Sequence, residues 1–210
     1  MFFDRLPGSG VVCAHRGARS LAPENTLPAA LAAALAGAHC WETDVRLSAD
    51  GVPVLLHDET LERTTDAAQR PELKDRDPWP VNAFTSTELR GLDAGSWFAA
   101  ADPFGTIAAG ELDAAALAGF TGVGIPTLAE ALALSRSLAL PVNVELKEDD
   151  DALVDAVLAS IRQTRTEDMV LLSSFHHRLL RALRTKAPHL PLAALAEDGH
   201  PDDLPAYLQA

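Results

Sequence analysis

The chain has 210 residues, with 17 Lys or Arg against 30 Asp or Glu, for a formal net charge of −13. That length suits one domain carrying an insertion, and 48% hydrophobic with 22% charged residues excludes wholesale disorder. The acidic balance excludes a non-specific nucleic-acid binder, which needs a basic footprint to displace counterions, yet it admits a phosphate substrate held by a metal or by local cations.

The opening MFFDRLPGSG lacks the charged head, apolar stretch and cleavage site of a signal peptide, and no apolar run approaches the ~20 residues of a membrane helix. A soluble, cytoplasmic chain is expected. Short apolar runs then alternate with Ala- and Leu-rich helical stretches, the pattern of βα units in a mostly parallel sheet. The first strand is predicted over 11–18. A helix follows over 27–36, capped by Asn25 or Thr26, with Pro28 in its first turn and Gly37 at its end. A second strand fits 40–47, closed by the turn Ala49-Asp50-Gly51, and a third fits 52–57. Residues 59–124, with Pro71, Pro78, Pro80, Trp79 and Trp97, read as a compact insertion. Thr85 with Glu88 and Thr127 with Glu130 have the spacing of capping boxes. A fourth strand is predicted at 141–146, a helix over 151–163, a fifth strand at 169–175, a basic helix over 178–186 and a sixth strand at 190–196.

The chemistry collects at the C-terminal ends of these strands. The first ends in His15-Arg16-Gly17, the second carries Glu42-Thr43-Asp44, the third ends in His57-Asp58, and the fourth carries Glu145-Leu146-Lys147. Residues two apart on a strand share a face, so Glu42 pairs with Asp44 and Glu145 with Lys147. Carboxylates are hard ligands suited to Mg²⁺ or Ca²⁺, and a divalent cation removes the repulsion among Glu42, Asp44 and Glu145. His15 and His57 supply an acid and a base near neutral pH. Arg16 and Lys147 can clamp phosphate oxygens. A structural role would have to explain four polar strand ends at once, at the cost of burying them without function.

These residues carry a resemblance. The strings AHRGARSLAPENTLPA at 14–29, ETDVRLSADGVPVLLHDETLERTT at 42–65, LDAGSWF at 92–98, IPTLAEAL at 125–132 and NVELK at 143–147 resemble the glycerophosphodiester phosphodiesterase family in order and spacing. The resemblance implies a TIM-type (β/α) barrel with a small insertion after strand 3. It implies hydrolysis of glycerophosphodiesters to sn-glycerol 3-phosphate and an alcohol, with one divalent cation, Mg²⁺ or Ca²⁺, and Mn²⁺ as a further candidate. By the same resemblance His15 and His57 are the catalytic pair, Glu42, Asp44 and Glu145 the metal ligands, and Arg16 and Lys147 the phosphate contacts. Either histidine could be the base, and the nucleophile is water or a neighbouring glycerol hydroxyl. Other readings are a barrel phospholipase of the lysophospholipase D, phosphoinositide or sphingomyelin type, or a truncated non-catalytic relative.

Glu24 and Asn25, on the loop after the first strand, are expected either to support the site or merely to start the helix. Cys13 and Cys40 precede His15 and Glu42 by two residues and are expected inside, as buried core thiols. Trp97 and Phe98 are expected to pack, with the alcohol side of the pocket as their alternative place. His39 is expected at the surface, and His176, His177, His189 and His200 lack metal-like spacing. With residues 59–124 set aside, about 144 residues remain for a barrel that typically takes ~250. The expectation is a barrel cut short after about six strands, lacking strands 7 and 8, with a turn and short helix at its end and self-association through open strand edges.

Overall fold

A computed structural model describes residues 1–197, 199 and 202–209 and contains one six-stranded sheet. The strands are β1 (Cys13–Ala14), β2 (Cys40–Leu47), β3 (Pro53–Leu55), β4 (Val142–Leu146), β5 (Val170–Ser174) and β6 (Leu192–Ala194). β1, β2, β4, β5 and β6 lie in that order, every pair parallel, with α1 (Leu27–Leu35), α5 (Leu128–Leu138), α6 (Asp151–Thr164) and α7 (His177–Lys186) between them along the chain. This is an α/β fold of the TIM-barrel type, open between β1 and β6 among the described residues. A short helix, α8 (Leu204–Gln209), ends the chain as expected; His200 lies outside the described residues.

The third predicted strand differs from a barrel strand. β3 pairs antiparallel with β2, Val45 opposite Leu55 and Leu47 opposite Pro53. The turn through Ala49-Asp50-Gly51 is too short for the crossover that parallel neighbours need, so the two strands must form a hairpin. Val45 also pairs with Leu146 of β4, so β3 lies on the other side of β2, beyond the end of β1. The first strand is shorter than its apolar run because Arg16 and Gly17 both take positive φ and turn the chain away.

The core follows the period of two. On one face of the sheet Trp41, Val142 and Val170 form one row and Val144 and Leu172 lie in the next. This face buries against Ala33 of α1, Leu132 of α5, Val157 and Ile161 of α6 and Leu183 of α7. The opposite, concave face carries Glu42, Asp44, Asn143 and Glu145. Thr26, not Asn25, caps α1, its side chain accepting from the Ala29 amide at 3.3 Å. Both expected capping boxes form, at the start of α5 and of α2 (Ser86–Arg90).

Residues 59–124 add no strand to the sheet and fold as turns with α2, α3 (Ser96–Ala101) and α4 (Ala114–Ala118). They bury Leu61, Val81, Phe84 and Leu89 in one cluster and Phe98 with Phe120 in another, with Trp97 packed beside it. Cys40 is buried as expected, but Cys13 is exposed, because β1 is the edge strand and has no neighbour on its free side. His39 is half-buried, its Nδ1 accepting from the Val12 amide at 2.9 Å. No helix among the described residues is long and apolar enough to cross a membrane.

Gly17 fixes how β1 meets α1. Its φ is +79°, and a Cβ there would lie 2.6 Å from the Ala29 side chain. Gly37, at the other end of α1, has φ +78° but open space around it. Gly17→Ala is expected to lower stability by ~2–4 kcal/mol, the sum of left-handed strain and a close clash, against ~1 kcal/mol for Gly37→Ala. Urea unfolding midpoints measure both; equal losses would contradict the close approach.

Candidate active site

The concave face of the sheet and the loops above it form a cleft of about 460 Å³ lined by His15, Arg16, Glu42, His57, Glu145 and Lys147 among others. β2 delivers Glu42 and Asp44 to this side, and β4, in register with it, places Glu145 directly beside Asp44. One ligand atom from each of these three carboxylates falls within 4.8 Å of the other two. Among the described residues this is the one cluster of three or more His, Cys, Asp or Glu groups so close together.

Two buried carboxylate oxygens in the cluster, Glu42 Oε1 and Asp44 Oδ1, have no hydrogen-bond partner. Unpaired buried acceptors are costly, and hard oxygens left open in a close acidic cluster fit a divalent cation. Burial, with the charge of Asp44 next in weight, pushes the Glu42 carboxyl up to about 8.

The cations lie at the rim. Lys147 Nζ donates to Glu145 Oε1 at 2.7 Å and lies 3.6 Å from Asp44 Oδ1. Arg16 donates its backbone N–H to Glu42 Oε2 at 2.8 Å, and its Nε lies 3.4 Å from Asp44 Oδ2. Arg16 adopts φ +57°, a strained conformation for a non-glycine residue, and Asn25 does the same at +56°. The Asn25 amide N–H donates to the Arg16 carbonyl at 3.0 Å and so ties the two positions together. Asn25 also donates Nδ2 to Asp44 Oδ2 at 2.8 Å, while its Oδ1 accepts from Thr43 Oγ1 at 2.7 Å. Asn25 thus orients a carboxylate rather than starting the helix.

The two histidines differ in setting. His15 is half-exposed, with Nε2 3.7 Å from Glu42 Oε2, and desolvation together with Arg19 and Arg16 holds it below the ordinary histidine range. His57 follows β3 by two residues; its carbonyl accepts from Arg46 Nε at 2.9 Å and its Nδ1 meets Asp58 Oδ1 at 2.7 Å. Glu24 accepts from Arg16 Nη1 at 2.9 Å and from both terminal nitrogens of Arg63. Burial works to raise the Glu24 carboxyl, but the bonds and charges of Arg63 and Arg16 outweigh it and hold the group below its usual range. Asp58 is held well down by its bond to His57 and, against burial, by Arg63.

All nine residues expected at the site, His15, Arg16, Glu24, Asn25, Glu42, Asp44, His57, Glu145 and Lys147, therefore lie in one contiguous network or line its cleft. Sequence reasoning missed five neighbours. Asn143, two residues before Glu145 and on the same face, points an unpaired buried Oδ1 inward, which the period of two could have revealed. Phe175, Leu195 and Glu197 line the side of the cleft formed by β5 and β6, where only their positions at strand ends offered a signal. Arg63 was hidden because its partner Glu24 lies 39 residues away, although Asp58 precedes it by only five. His176 and His177 stay outside the carboxylate cluster; His177 bonds Tyr207 and the Leu195 carbonyl.

The model of the Glycerophosphoryl diester phosphodiesterase family matches residues 15–210. A glycerophosphodiester phosphodiesterase of Caldanaerobacter subterraneus subsp. tengcongensis is 34% identical over 192 residues, which cover 90% of this chain and 68% of that protein. The solved structure of an Oleispira antarctica phosphodiesterase in complex with the product sn-glycerol-3-phosphate superposes with a TM-score of 0.78 at 28% identity, covering 99% of this chain and 72% of that one. That of glycerophosphodiester phosphodiesterase from Agrobacterium tumefaciens str. C58 gives 0.67 at 33% identity, over 88% and 66%. The chain thus spans roughly two thirds to three quarters of the length of these relatives. A match of this extent, over a parallel sheet whose strand ends bear the acidic cluster, shows that the chain belongs to the glycerophosphoryl diester phosphodiesterase family of phosphoric diester hydrolases.

Proposed function

We propose that this chain hydrolyses glycerophosphodiesters to sn-glycerol 3-phosphate and an alcohol, with a divalent cation and two histidines. The observation that carries the reading is the convergence of Glu42, Asp44 and Glu145, with two unpaired oxygens, on a cleft shared with His15, His57, Arg16 and Lys147. The relative from Oleispira antarctica binds sn-glycerol-3-phosphate as product, which supports the same substrate class here.

Glu42, Asp44 and Glu145 would hold the cation, which when bound supplies positive charge against a phosphate oxygen and helps to orient the diester. Arg16 and Lys147 add positive charge and donors around the two non-bridging oxygens of the diester, the guanidinium through its planar fork. One histidine takes the proton of the attacking hydroxyl while the other gives a proton to the leaving oxygen. Asp58 occupies His57 Nδ1, so Nε2 is the His57 nitrogen left for that exchange. His15 is held below its ordinary pKa by burial and by Arg19 and Arg16, which favours its neutral, proton-accepting form.

A panel of glycerophosphodiesters, assayed after EDTA treatment and again with Mg²⁺, Ca²⁺ or Mn²⁺ restored, tests the reading directly. Release of sn-glycerol 3-phosphate only with cation restored is expected; release of a phosphorylated head group would favour a phospholipase of another specificity. Alanine at Glu42, Asp44 or Glu145 should abolish both this hydrolysis and the cation-induced rise in Tm. A Glu145→Ala variant with full activity and an unchanged Tm rise would remove the site. His15→Ala and His57→Ala should each lower kcat by about 10²-fold or more while keeping the cation-induced Tm rise. Wild-type turnover in either variant would take that histidine out of the mechanism.

A further inference from the structure

One guanidinium bridges the two acidic groups that flank the cleft. Arg63 donates Nη1 and Nη2 to the two oxygens of Glu24, at 3.1 and 2.7 Å, and donates Nε to Asp58 Oδ2. Glu24 Oε1 also accepts from Arg16, and Asp58 Oδ1 meets His57 Nδ1. The contacts run unbroken from His57 through Asp58, Arg63 and Glu24 to Arg16. Arg63 belongs to the segment after β3, so the insertion is tied directly to two groups of the site.

Geometry distinguishes this from an ordinary surface ion pair, which contributes little. The Glu24 side chain is only 8% exposed, and the Arg63 fork is used on two of its edges at once. A lysine cannot reproduce that arrangement, because its ammonium is a single point of donation. Glu24 held by Arg63 presents a fixed oxygen to Arg16, and Asp58 held by Arg63 presents a fixed oxygen to His57 Nδ1. A carboxylate fixed against one ring nitrogen selects the tautomer that protonates that nitrogen.

We propose that Arg63 is a positioning residue that sets the His57 tautomer through Asp58 and the Arg16 fork through Glu24. The inference rests on the reading of His57 as a proton-transfer group and Arg16 as a phosphate contact. Arg63 itself bonds to none of the three carboxylates and is not among the residues that line the cleft.

The test compares wild type with Arg63→Ala, Arg63→Lys and Asp58→Asn. Both Arg63 variants should lose about 10- to 100-fold in kcat, the range seen when a group orienting an active histidine is removed. The cation-induced Tm rise should persist in both. Millimolar guanidinium should restore part of the turnover of Arg63→Ala but not that of Asp58→Asn. ¹⁵N NMR of neutral His57 should show the Nδ1–H tautomer in wild type and a mixture of tautomers in Arg63→Ala and Asp58→Asn. Wild-type turnover in Arg63→Ala overturns the proposal. So does a loss of turnover with unchanged His57 signals and no guanidinium rescue, which marks a merely structural role. If Arg63→Ala fails to fold, Arg63→Lys carries the same NMR comparison. If the wild type hydrolyses no glycerophosphodiester, the proposed function fails, and the tautomer measurement still decides the role of Arg63.

Discussion

Three carboxylates, Glu42, Asp44 and Glu145, are buried within reach of one another, and like charges in that setting repel strongly. The neighbouring residues limit that cost. Lys147 and Arg16 bring positive charge to the rim, Asn25 and the Arg16 amide donate hydrogen bonds to individual oxygens, and burial beside Asp44 raises the Glu42 carboxyl above its usual range. Those donors leave two oxygens open, and a divalent cation matches what remains.

The scaffold meets this constraint through the register of its strands. Pairing Asp44 with Glu145 across β2 and β4 is what brings carboxylates from distant parts of the chain side by side. The same alternation sends Trp41, Val45, Val144 and Leu146 to the other face, where helices cover them. The loop from β1 to α1 carries the strain. Arg16 and Asn25 hold left-handed conformations that each cost about 1–3 kcal/mol, and burial of α1 against the sheet offsets this.

Much of this was legible in the residues. Glu42 with Asp44 and Glu145 with Lys147 declared their shared faces by spacing alone, and Thr85 with Glu88 and Thr127 with Glu130 declared two helix starts. The hairpin was also written in the chain, since Ala49-Asp50-Gly51 leaves no room for a crossover, but an apolar run such as 52–57 does not state which neighbour it will pair with. Cys13 shows a related limit. Its face follows from the period of two, whereas its exposure depends on whether another strand lies beside β1. Arg63 was beyond reach for a different reason. Its partner Glu24 lies on a loop 39 residues earlier, and nothing local to either residue records that the two loops meet.

The hairpin of β2 and β3 has a mechanical consequence. Glu42, Asp44 and His57 ride on one continuous piece of backbone, and β4 is laced to it along five residue pairs from Trp41 to Val45. Thermal motion of that unit displaces two carboxylates and an imidazole together and leaves their spacing intact. His15 lies outside that hairpin and is tied to it through the short β1–β2 pairing and the Arg16 amide on Glu42 Oε2. It follows a two-residue strand at the border of the sheet, and its ring is half in solvent. The position of the His15 ring relative to the carboxylates therefore rests on two strand pairs and one amide, where that of Glu42, Asp44 and His57 rests on a shared hairpin.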